Sequence, residues 1–252
     1  DACTIEAADC AVPNLSAPEG GILRLNISGE CTVDGGGAEY SCFEGFDCVL
    51  ITGSGTLTIS NASGLDCGGA SLPLPALMLD GNVTLRCESV RLTPGSDAPA
   101  LAVLGGTLCA GQLWLNGGEL VNAGGTVLAR NVFQPARVLL RGGVTLLDAL
   151  DGSAEFLLSG GTGHVADPLP AGSVVEGGAG TFSAPDFSNA AIHDYDTGAA
   201  LWDGAEDSAP AAAGAGYYPT TYSEDWAGAA TNTMWESLTL ANPINDCWFA
   251  GT

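Results

Sequence analysis

The sequence predicts an all-β chain wound as a solenoid, and three observations carry that prediction. From Gly105 to Glu176, four successive segments open on a Gly-Gly pair, at Gly105, Gly124, Gly142 and Gly160, and a further pair follows at Gly177-Gly178, so the step from one opening to the next is nearly constant. Each segment ends in a short apolar or β-branched run: Glu119-Leu120-Val121, Val138-Leu139-Leu140, Phe156-Leu157-Leu158 and Ser173-Val174-Val175. No window sustains i, i+3, i+4 apolar spacing, so almost no helix is expected. A period this short, carried by strand residues between glycine turns, makes each repeat one rung of a coil.

In chain order, residues 1–19 carry Cys3, Cys10, Pro13 and Pro18. A first rung exposes a strand edge and the end of the core, so this segment is expected to cap it or to be exchanged with a neighbouring copy. Residues 20–180 form the coil. Before Gly105 the period loosens: Gly20, Gly53 and Gly81 open longer pieces, yet Pro75-Ala76-Leu77-Met78-Leu79-Asp80-Gly81 aligns with Pro99-Ala100-Leu101-Ala102-Val103-Leu104-Gly105. The early rungs therefore carry insertions. Between glycines the pattern alternates, with Leu23, Leu25 and Ile27 against Arg24 and Asn26, as strands with one buried face require. Residues 181–252 lose the pattern and form an irregular, acidic region rich in aromatic residues, divided by the Ala/Gly/Pro stretch 209–216.

The repeat, apolar-x-apolar-x-Gly-Gly-x-Thr-Leu, resembles the parallel β-helix group. Rungs as short as these look most like the slim triangular right-handed coils of secreted adhesins such as filamentous haemagglutinin. The resemblance covers residues 20–180 and is one of architecture. It implies a right-handed parallel β-helix and a surface or adhesive role.

The nine cysteines are Cys3, Cys10, Cys31, Cys42, Cys48, Cys67, Cys87, Cys109 and Cys247. They lack the Cys-x-x-Cys pairs of a zinc site and read as a disulfide framework made in an oxidising compartment. Cys3 with Cys10 and Cys42 with Cys48 are the local closures expected, and the odd count leaves one thiol over. The chain starts at Asp1 rather than Met, which suggests a processed terminus and export. Four sequons, at Asn14, Asn26, Asn61 and Asn82, are glycosylation candidates; the alternative is that these asparagines serve only as turn residues.

Charge narrows the partners. The chain has six arginines, no lysine and 29 acidic residues, and from Gly142 onward there are fifteen acids and no basic side chain except histidine. Such a surface repels phosphate backbones and anionic lipid, so nucleic acid and membrane insertion are not expected.

For chemistry, Asp194, Asp196 and Asp203 form a calcium candidate, because carboxylates at alternate positions next to a glycine suit a hard cation. A solvated acidic loop is the other reading, since the twelfth-position Glu of a complete loop is missing. Calcium is the only cofactor suggested. Tyr217, Tyr218, Tyr222, Trp226, Trp235 and Trp248 are interaction candidates, either as rings closing the end of the coil or as a sugar-binding platform. Gly161-Thr162-Gly163-His164 resembles the Gly-His of pectin-degrading β-helix hydrolases, but the aspartate cluster and basic residue those enzymes need are not assembled. His164 and His193 read as surface or turn residues. Thr56, Thr58, Thr84, Thr107, Thr126 and Thr145 are spaced too unevenly to promise the flat threonine rows of an ice-binding face. The expectation is a non-enzymatic, self-associating or adhesive extracellular solenoid, with a polysaccharide-binding or polysaccharide-degrading β-helix as the alternative.

Overall fold

The computed structural model describes residues 2–17, 20–69, 73–95, 98–184, 190–194 and 200–202. Within them the chain is a parallel β-solenoid of about eight turns with no helix. The strands are β1 (Ala2–Ala8), β2 (Ile22–Ser28), β3 (Glu30–Cys42), β4 (Cys48–Gly53), β5 (Thr56–Gly68), β6 (Leu77–Leu79), β7 (Thr84–Thr93) and β8 (Leu101–Val103). They continue with β9 (Thr107–Trp114), β10 (Glu119–Phe133), β11 (Arg137–Asp151), β12 (Glu155–Val165), β13 (Ser173–Ser183), β14 (Ala190–Asp194) and β15 (Ala200–Trp202).

Two stacks share these strands. One runs β1-β2-β4-β6-β8 and the other β3-β5-β7-β9; both continue into β10 through β13, which bend round a corner and belong to each. All pairings among the described strands are parallel except that of β15, which turns back antiparallel on β14. Residues 1–19, expected as a cap or exchanged segment, contribute β1, whose Ala2–Ala8 pair in unbroken register with Ile22–Ser28. Stacking thus begins before the first glycine of the visible period.

The period is physical. Leu101, Leu120, Val138, Phe156 and Val175 hold one position on successive turns, at an almost constant separation along the chain. On earlier turns the same position is held by Leu23, Val49 and Leu77, whose separations are clearly longer, the excess being inserted between strands that still keep register. Inward residues at these positions are almost wholly buried and form one continuous core, each such side chain contributing about 1.5–3 kcal/mol of burial.

The Gly-Gly pairs mark a corner where backbone stacks on backbone. Gly143 has φ +67°, and a Cβ there would stand 2.0 Å from the Gly125 carbonyl oxygen of the preceding turn. Only glycine fits both the conformation and the approach. Asn122 secures the same corner from inside. Its fully buried amide donates to the Gly125 and Val144 carbonyls and to Thr145 Oγ1, and its Oδ1 accepts from the Gly124 and Gly125 amides. The donor and acceptor groups freed by the bend are thereby satisfied.

Candidate functional site

The register assembles outward-facing columns, one residue per turn. The first begins at Glu30 and continues Thr56, Thr84, Thr107, Thr126, Val144 and Thr162. Of the six threonines expected to be scattered, four, Thr56, Thr84, Thr107 and Thr126, are therefore in line, because insertions between rungs distort their spacing in sequence and not in space. Thr58 belongs to the neighbouring column, and Thr145 faces inward and is buried.

That neighbouring column runs Thr32, Thr58, Arg86, Cys109, Leu128, Leu146 and His164. Alternation turns these side chains away from the core, since Leu108, Val127 and Thr145 on one side and Ala110, Ala129 and Leu147 on the other face in. Yet Cys109, Leu128, Leu146 and His164 are only 3%, 5%, 0% and 4% exposed. His164, expected at the surface, is thus a buried imidazole, and burial pushes its pKa down to about 4. Arg86 Nε is buried as well, with no hydrogen-bond partner among the described residues.

Around the next corner a third column stacks Asp66, Arg91, Trp114, Phe133 and Asp151. Trp114 and Phe133 lie face to face, ring centroids 4.0 Å apart and planes 12° off parallel. Burial raises the Asp66 carboxyl, and the Arg91 guanidinium one turn on opposes that rise. On the first stack Glu119, Arg137 and Glu155 form a charge ladder: Arg137 Nη1 donates to Glu119 at 2.9 Å and its Nε to Glu155 at 2.7 Å.

Near the amino-terminal end, Asn14, Leu15, Ser16, Gly35, Tyr40, Ser41 and Glu44 line a shallow depression of about 230 Å³. Tyr40 stands 56% exposed at its edge. Hydroxyls, a carboxylate and an exposed aromatic ring are groups that can bind sugars. No part of this constellation is visible in sequence, because the lining comes from two segments with the whole of β2 between them.

Of the residues singled out from sequence, the four sequon asparagines are all exposed. Three are engaged: Asn14 Nδ2 donates to the Ser41 carbonyl, Asn26 Nδ2 to Glu6, and Asn61 Nδ2 to Asp34. The cysteines depart from the expected framework. Cys3 and Cys10 are exposed thiols, and Cys31, Cys42, Cys48, Cys67 and Cys87 are buried thiols; Cys109 is disulfide-bonded. The Cys3–Cys10 closure is not made because β1 is extended. A strand rising about 3.3 Å per residue carries the chain well beyond the ~7 Å Cα limit of a disulfide between Cys3 and Ala8. Cys42 and Cys48, the other expected pair, end one strand and open the next without bonding. Burial pushes the Cys42 thiol up to about 11 and Cys87 up to about 12, as for small apolar core residues. Asp194 ends β14 in register with Gly177. Asp196, Asp203, Tyr217, Tyr218, Tyr222, Trp226, Trp235, Cys247 and Trp248 lie outside the described residues. Against this geometry, no family model, no curated protein sequence and no solved structure matches the chain.

Proposed function

We propose that this chain is a non-enzymatic extracellular structural or adhesive unit that associates with further copies of itself along the solenoid axis. The observation that carries the reading is the continuity of the parallel stack from β1 to β14, in which every turn offers its backbone groups to the next. At the amino-terminal end β1 pairs with β2 alone among the described strands, and its sequence ACTIEAA has one charge and no proline. A strand edge with so little to blunt it is a template for strand addition. The strongly acidic composition suits a solvated extracellular assembly and, through its surplus of carboxylates, divalent cations.

Negative-stain electron microscopy of the native, unreduced protein, with and without calcium, tests this. Filaments or sheets are the expected result. Uniform single rods at every concentration, with a monomer mass in sedimentation, would overturn self-association.

The depression beside Tyr40 favours a second reading, recognition or cleavage of a polysaccharide. Its test is a glycan screen with the native protein and with Tyr40→Ala. Binding lost in the variant would move the function to carbohydrate, and binding that survives it would place any sugar site elsewhere.

A further inference from the structure

On the first stack the register builds a further outward column, and its middle is apolar. It runs Arg24, Leu50, Met78, Ala102, Val121, Leu139, Leu157 and Glu176, one residue per turn. The residues on either side of it along each strand, Val138 and Leu140 around Leu139 or Phe156 and Leu158 around Leu157, are the core-facing ones, so the column points outward. Leu50, Met78, Leu139 and Leu157 are only half-buried, and the shorter Ala102 and Val121 lie low between them. Leu104, 45% exposed, extends the patch sideways two residues beyond Ala102. A continuous apolar stripe of this length on a sheet face marks a contact surface. We propose that a second copy of the chain covers it, packed face to face and antiparallel about a two-fold axis that passes between Ala102 and Val121.

The order of residues along the column fits that reversal. The axis sets Ala102 against the partner's Val121, Met78 against the partner's Leu139 and Leu50 against the partner's Leu157, so small side chains meet at the centre and long ones on either side. At the two ends the exposed Arg24 comes to the partner's Glu176. One column to the side, Arg137 comes opposite the partner's Asp80, because the rungs of Leu139 and Met78 face each other. A parallel pairing would set Arg24 on the partner's Arg24 and Glu176 on the partner's Glu176, which like charges oppose. The column spans about 34 Å at ~4.8 Å per rung, and with one flanking column on each side the face is about 15–20 Å wide, or roughly 500–700 Å² per copy. Both copies together therefore reach the ~1,000 Å² that a specific interface has to clear. Against association stands the net charge of −23 on each copy. Salt screens that repulsion, so it should tighten this pair, the opposite of its effect on an interface held mainly by ions. The pairing is lateral and holds whether or not copies also join end to end.

Sedimentation of the full chain over a range of concentrations and salt tests it. A dimer that tightens with salt is expected. Leu139→Asp should raise its Kd at least about a hundredfold, since the buried carboxylate enters a two-fold interface twice. Arg24→Glu and Glu176→Arg should each raise Kd by about three- to tenfold, and the double variant should recover most of the loss. The charge variants keep the test decisive if Leu139→Asp does not fold, as judged by strand circular dichroism. Should the chain also polymerise, negative stain should show filaments two rods wide that become one rod wide in Leu139→Asp, a substitution in mid-column and away from both ends. A native monomer, whose stripe is then covered by its own chain or by another protein, would overturn the pairing. So would a dimer or a filament width indifferent to Leu139→Asp, and a double charge variant no tighter than the single ones would overturn the antiparallel register.

Discussion

The turns after Gly105 and those before it solve the same stacking problem with different amounts of chain. Later turns close over a short and nearly constant length, run through the corner as single strands and pack leucines, valines and phenylalanines. Earlier turns use more chain, break into two strands per turn and carry buried thiols. Register is nonetheless kept in both. What stacking requires is therefore the pair of strands and the inward side chains, while the connection between them is free to grow. Loop closure supports this, since lengthening a loop costs only about 0.6 kcal/mol per doubling.

The largest expected effect probes the core at one column. Phe156 and Leu77 occupy the same inward position on a late and an early turn, both fully buried. Phe156→Ala should cost about 3–5 kcal/mol in chemical denaturation. Leu77→Ala should cost about 2–4 kcal/mol. The difference follows from Phe182, whose ring lies 4.6 Å from that of Phe156 and loses its partner. Equal costs would mean that the tight late turns relax into the cavity as well as the loose early ones do.

The next comparison is between glycines. Gly143 and Gly36 both have positive φ, but a Cβ at Gly36 meets nothing within 4 Å, whereas at Gly143 it strikes the Gly125 carbonyl. Gly36→Ala should therefore cost only the left-handed penalty, about 1–2 kcal/mol. Gly143→Ala should cost clearly more, since the stacked corners must separate. Thermal melts of the two variants rank them, and the reverse order would remove the corner from its place as the determinant of the short period.

The late half of the fold is legible in sequence because its corner needs glycine twice per turn and its strands have no insertions. β1 is not, since it precedes the first glycine of the period and its small residues, Ala2, Ala7 and Ala8, give little alternation to read. The threonine column is hidden for the opposite reason: its members are unmistakable, but their spacing in sequence includes loops that the stack ignores. The strands turn Leu128, Leu146 and His164 to the outer face, and nothing in the sequence shows that they are buried there. For the thiols, clustering along the chain does not amount to bonding, because Cys42 and Cys48 end one strand and open the next, and Cys3 lies in the extended β1.

His164 distinguishes a buried outer column from a solvated one by pH. Its folded pKa of about 4 lies below the ordinary 6.5, so between these values the unfolded chain binds the proton and the folded chain does not. Stability from this residue is complete above about pH 7 and is lost as pH falls from 6.5 towards 4. Between pH 7 and pH 5 the loss should be about 2 kcal/mol. Measured by denaturant titration, it should vanish in His164→Gln, whatever that variant's own stability. A pH dependence unchanged by the substitution would show the imidazole to be solvated and the column open.

The smallest effect belongs to the charge ladder, where the late turns show a polar counterpart of their apolar stacking. Arg137 bridges Glu119 one turn before and Glu155 one turn after, but all three side chains stay partly exposed. Solvent screening keeps each such pair near zero to about 1 kcal/mol. Arg137→Ala should therefore cost about 1 kcal/mol or less at low salt, partly from the lost packing of its stem, and still less at high salt. Arg137→Gln keeps much of the stem and loses the charge, so the two variants separate packing from electrostatics. If Arg137→Gln proves as stable as the native chain at every salt concentration, the ladder contributes alignment of neighbouring turns rather than energy, and the stacking rests on backbone and core alone.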